Sequence, residues 1–176
     1  MKHLIIFLIA ISSVIEATTC PPDYFSTAAG GFDFYREKHR TFEFGIEYKF
    51  HLRCLKPPNH FLQFRPLIGA IATAKESFYG YVGINFDLLF LDHILFAPGF
   101  SAGYYHSGRG KNLGYPIEFR SGVELAWQFS DWHRLGFHFY HLSNASIGNR
   151  NPGEESLVLF YDIPIIKWIL FVRDNK

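Results

Sequence analysis

The sequence predicts an all-β fold, an eight-stranded antiparallel up-and-down transmembrane β-barrel. Three observations point there: a period-two alternation of bulky apolar with small or charged residues, an aromatic content of 19%, and a short apolar leader at the N-terminus. The leader comes first in the chain. Met1-Lys2-His3 is followed by an apolar run over 4–15, too short to cross a bilayer as a helix but suited to a signal-peptide core. Residues 1–19 are therefore expected to be a signal peptide and 20–176 a single barrel domain, exported from the cytoplasm. Acylation of Cys20 as a lipoprotein is a competing reading, which Ala17-Thr18-Thr19 fits badly. Cys20 and Cys54 would both meet an oxidising compartment, where they could form a bridge or remain two unlinked thiols.

The alternation is clearest over 42–50. Phe42, Phe44, Ile46, Tyr48 and Phe50 lie on one face, and Glu43, Gly45, Glu47 and Lys49 on the other. Residues 117–129 repeat the pattern, with Ser121 the weak point on the apolar side. The same pattern gives strands near 25–36, 39–50, 60–74, 77–90, 93–106, 115–129, 133–143 and 154–165. Short breaks at Leu91-Asp92 and 130–132 alternate with longer ones at 106–114 and 144–153, as antiparallel neighbours require.

A soluble lipid-binding barrel would turn the apolar faces inward, but that many bulky side chains would overfill a narrow eight-stranded interior. Gly, Ala, Glu and Arg fill it comfortably, so the apolar faces are expected outside and the polar faces in the lumen. With a formal charge of +1 and acids and bases mixed along the chain, no footprint for nucleic acid is visible.

On the seventh segment the outward stripe Leu135, Phe137, Phe139 continues in the same parity to His141 and Ser143. On the eighth, counting back by twos from Leu157, Leu159 and Tyr161 reaches Glu155. Polar groups on such a surface are costly and usually mark use. His141 and Ser143 are two residues apart on one face, about 6.5 Å between Cα atoms. Antiparallel pairing can bring Glu155 beside His141. A serine hydrolase needs these groups: a nucleophile (Ser143), a base that takes its proton (His141) and a carboxylate that orients the base (Glu155). Asn144 is the first candidate for the oxyanion hole, with the backbone N–H groups of Ala145 and Ser146 behind it. Interfacial polar residues on a structural or adhesive barrel are the competing explanation.

The run His141-Leu142-Ser143-Asn144-Ala145, then Asn151-Pro152-Gly153, Glu155 and the segment 156–165, resembles the signature of the lipid A 3-O-deacylase (PagL) family. Residues 110–114 and 119–122 are similar to that family's strand before the active-site hairpin. The resemblance implies an outer-membrane esterase without metal or cofactor, acting on lipid A (lipopolysaccharide) in the outer leaflet. Carried over, Ser143 is nucleophile, His141 base and Glu155 orienting acid, with Asn144 aiding the oxyanion. Arg109, Lys111 and Arg150 could attract the substrate's phosphates or be ordinary solvated loop charges. The chain departs from the family pattern at Ser146, where Gly is usual, and in its tail after Ile165.

Overall fold

The computed structural model describes residues 21–52 and 62–165. The leader, Cys20, Cys54 and the tail from residue 166 lie outside the described residues.

Eight antiparallel strands close on themselves: β1 (Asp23–Phe32), β2 (Thr41–Lys49), β3 (Leu62–Thr73), β4 (Phe78–Phe90), β5 (Ile94–His106), β6 (Ile117–Gln128), β7 (Arg134–Ser143) and β8 (Glu154–Ile165). Each pairs with its neighbours in sequence, and β1 closes the cylinder on β8, so no edge is left with unpaired N–H and C=O groups. The connections 33–40, 74–77, 107–116 and 144–153 cluster at one end, here called the upper end, and the tight turns 91–93 and 129–133 sit at the other.

Seven of the expected strands agree with the observed ones to within about two residues, an ordinary boundary error. The first differs more. It stops at Phe32, because Asp33 takes φ 51° and the chain turns through 33–40. The alternation of Phe32 with Phe34 imitates a continuing strand, but Phe34 belongs to a loop folded back on the barrel.

The two faces divide as the alternation requires. Phe44, Ile68, Val82, Phe100, Leu125, Phe137 and Leu159 are exposed on the outer wall. The lumen is filled. In its lower half Lys49 Nζ lies 2.9 Å from Glu124 and 3.1 Å from Asp162, and Asp87 receives both Arg65 and Arg134. Midway, Arg120 donates to Glu47 (2.7 Å) and to the Tyr81 hydroxyl (3.0 Å). These charges are almost wholly removed from solvent and are each paired, the condition for burying them. The upper half departs from a purely polar lumen: Phe32, Tyr79, Tyr105, Leu113, Tyr140 and Leu142 pack together as an apolar plug. Gly69 and Gly103 make room inside for the Tyr81 side chain, which a Cβ at either position would strike.

Candidate active site

The site forms on the outer wall where β6, β7 and β8 reach the upper end. Strand register places His141 directly opposite Glu155 on β8 and opposite Ser121 on β6, with Ser143 opposite Phe119. All these positions share the outward parity. Ser121, the gap in the apolar stripe of β6, thus flanks the imidazole, a neighbour that sequence reading noticed only as a defect in the pattern.

His141 Nδ1 lies 3.2 Å from Glu155 Oε1, with side-chain exposures of 40% and 21%. The carboxylate therefore faces Nδ1, leaving Nε2 as the nitrogen free to exchange a proton. Ser143 is part-exposed on the same face, and among the described residues its hydroxyl makes no hydrogen bond, including none to His141. In serine hydrolases the hydrogen bond between base and nucleophile is often long before substrate binds and tightens with it. Gly153 lies against the imidazole: a Cβ there would come within 2.6 Å of His141 Cε1, and its φ of 56° also suits only glycine without strain.

Two sequence expectations change. Asn144 is fully buried, and its side-chain nitrogen donates to the carbonyls of Leu113 (2.9 Å) and Arg150 (2.8 Å). Both amide hydrogens are thus taken, because residue 144 falls on the inward parity. The side chain braces the loop and offers no donor to the outer wall. Lys111 is also buried, with Nζ 2.8 Å from Asp33 Oδ1, so it is no solvated attractor for a phosphate. Arg109 is exposed but engaged with Glu76 at 2.6 Å, whereas the side chain of Arg150 is exposed.

The loop after Ser143 begins with a tight turn. Ile147 donates its N–H to the Asn144 carbonyl (3.0 Å), and Ala145 and Ser146 take φ 50° and 63°, the signature of a type I′ turn. The N–H groups of Ala145 and Ser146 have no protein partner among the described residues. Ser146 adopts the conformation that glycine would take most easily.

The loop 33–40 docks over this corner, and no sequence signal singled it out. Phe34 donates its N–H to the Glu155 carbonyl (3.0 Å) and sets its ring edge-on to Phe139 with centroids 6.2 Å apart. Arg36 reaches Glu155 from the side away from His141. Among the described residues, no group of three or more His, Cys, Asp or Glu side chains is arranged to hold a metal.

The sequence model of the lipid A 3-O-deacylase (PagL) family matches residues 43–164. No curated protein matches the chain. Among solved structures, the crystal structure of the outer membrane enzyme PagL superposes with a TM-score of 0.63 at 20% identity, covering 81% of this chain and 99% of that one. At that identity the likeness speaks for the barrel alone, while the family match spans more than half the chain and includes every strand that carries the site. The chain belongs to the lipid A 3-O-deacylase (PagL) family of ester hydrolases.

Proposed function

We propose that this protein sits in the outer membrane and removes the ester-linked acyl chain at position 3 of lipid A, with Ser143 as nucleophile, His141 as base and Glu155 as the acid that orients it. The observation that carries this reading is the cross-strand meeting of His141 Nδ1 and Glu155 Oε1 at 3.2 Å, on an otherwise apolar outer wall and two residues along the strand from Ser143. Polar groups cost free energy on such a surface, and here they sit together in the order that acyl transfer needs.

With the N-terminus on the periplasmic side, the upper end faces outward and the site lies level with the outer leaflet. Lipid A then reaches it laterally, its acyl chains along Phe137, Phe139, Leu157 and Leu159. The Ser143 hydroxyl attacks the ester carbonyl as His141 Nε2 takes its proton. The imidazolium, facing the Glu155 carboxylate through Nδ1, returns that proton to the sugar oxygen as its bond to the acyl carbon breaks, leaving the acyl group on Ser143 Oγ. Water, deprotonated by the same nitrogen, then releases the fatty acid and restores the serine. The N–H groups of Ala145 and Ser146 are the donors for the oxyanion, and Asn144 serves by holding the turn that presents them. The family's ester chemistry and the unpartnered state of these two groups support that assignment.

Mass analysis of lipid A from cells carrying the wild-type chain or S143A tests the proposal. The wild type should yield lipid A lacking one acyl chain at position 3, and S143A should lower deacylation by at least about a thousandfold while the barrel still shifts on heating in gels. Unaltered lipid A with the wild type, or full activity in S143A, would overturn it.

A further inference from the structure

The Glu155 carboxylate has a partner on each oxygen. Oε1 faces His141, while Oε2 lies 3.2 Å from Arg36 Nη1. That guanidinium nitrogen is also 3.2 Å from Asp33 Oδ1 and 3.3 Å from the Gly153 carbonyl, and Asp33 Oδ1 in turn accepts from the buried Lys111 Nζ at 2.8 Å. A line of alternating charge therefore runs from the lumen to the outer wall through Lys111, Asp33, Arg36 and Glu155, and meets the imidazole of His141 at its end. It links three upper loops with the end of β8, and backbone bonds reinforce it. Asp33 donates its N–H to Glu154 Oε2 (3.1 Å), and Phe34 donates to the Glu155 carbonyl.

We propose that Arg36 is a positioning residue for the triad, acting through Glu155, an inference that rests on the serine-esterase reading above. A lone carboxylate at the rim of an apolar wall can rotate toward water and away from the imidazole; with Oε2 held, Oε1 keeps its aim at Nδ1. Arg36 also supplies the positive charge that lets an acid stand in this setting without being turned out to solvent. Its own anchor is Asp33, whose side chain is buried and which is held in turn by Lys111. Lys38, in the same loop, is exposed and carries the same charge without any of these contacts, so it separates loop charge from position.

The test uses the full chain refolded in detergent, comparing wild type, R36Q, R36K and K38Q. Two readouts are taken: deacylation of lipid A, and labelling of Ser143 by a fluorophosphonate, which reports serine activation without lipid A. R36Q should lower kcat about tenfold or more with KM within about twofold, and should slow labelling to a similar degree. R36K should recover the larger part of both, and K38Q should match the wild type. Unchanged kcat and labelling in R36Q, a loss confined to KM (Arg36 then holding substrate phosphate), or no rescue by R36K would each overturn the assignment. So would loss of the heat-modifiable band in R36Q and R36K alike, which would make Arg36 a folding residue. Wild-type labelling without deacylation would remove lipid A from the proposed function and leave the Arg36 comparison to be read on labelling. A wild type neither labelled nor active would overturn both proposals together.

Discussion

The inner and outer faces of this barrel carry the same kinds of side chain under opposite rules. Inside, Arg65, Arg134, Lys49, Asp87, Glu124 and Asp162 are almost wholly buried and pair with one another. Outside, the wall is apolar for most of its extent, and Ser121, His141, Ser143 and Glu155 gather at one corner of it, part-exposed or exposed, with His141 paired to Glu155 and Glu155 also to Arg36 of one loop. Buried charges in a lumen are held by their neighbours and add shape. Polar groups gathered on the outer wall leave functions open: a hydroxyl without a partner, a ring nitrogen not engaged by the acid, two backbone N–H groups not bonded within the described residues. The difference teaches that polarity by itself is not a marker of chemistry in a barrel; polarity on the wrong face is.

The comparison breaks most sharply if a lumen charge is removed. D87N leaves the buried Arg65 and Arg134 sharing a neutral partner, and should cost roughly 3–5 kcal/mol of stability. The barrel should lose its heat-modified mobility at a clearly lower temperature, while the specific activity of the fraction still folded stays near wild type. A loss of specific activity in that folded fraction would mean that the two faces are not independent.

G153A sharpens the contrast from the other side. Its Cβ would press on the His141 ring at a backbone position with φ 56°, so the imidazole must shift. Deacylation should fall about tenfold or more, with only about 1 kcal/mol lost from the barrel. Gel mobility and kinetics on one preparation would separate the two.

The smallest effect is expected at Ser146. S146G relieves a left-handed residue in the I′ turn, with φ 63°. It should raise the melting temperature slightly, by the equivalent of about 0.5–1 kcal/mol less the entropy that glycine adds to the unfolded chain, and leave activity within about twofold. A large change in activity would show that the serine side chain, and not the backbone it sits on, contributes to the site.

Much of the barrel was legible because alternation is local. Phe42 to Phe50 declares its two faces without reference to any other strand, and the same parity carried His141, Ser143 and Glu155 to the outer wall. The corner around them was less legible. Arg36 reads as one charge in the run Arg36-Glu37-Lys38-His39-Arg40, and nothing local distinguishes it from Lys38; only the docking of that loop on β8 brings it to Glu155. Asn144 misled for a related reason. Its neighbour Ser143 faces out, and one step along a strand reverses the side, so its amide braces Leu113 and Arg150 inside. Lys111 likewise lies in a stretch as polar as any solvated loop, yet its ammonium is buried against Asp33.

What the chain determined by itself was periodicity: strand number, which side chains share a face, and the placement of a histidine and a serine two residues apart on one face. Each depends on the two-residue repeat of an extended backbone, which operates within a single segment. Tertiary structure decided the register that sets His141 against Glu155, the turn that leaves two N–H groups of the loop open, and the long-range contact that seats Arg36 behind the acid. Those depend on where separate loops come to rest on one another, and they are selected by the packing of the closed cylinder.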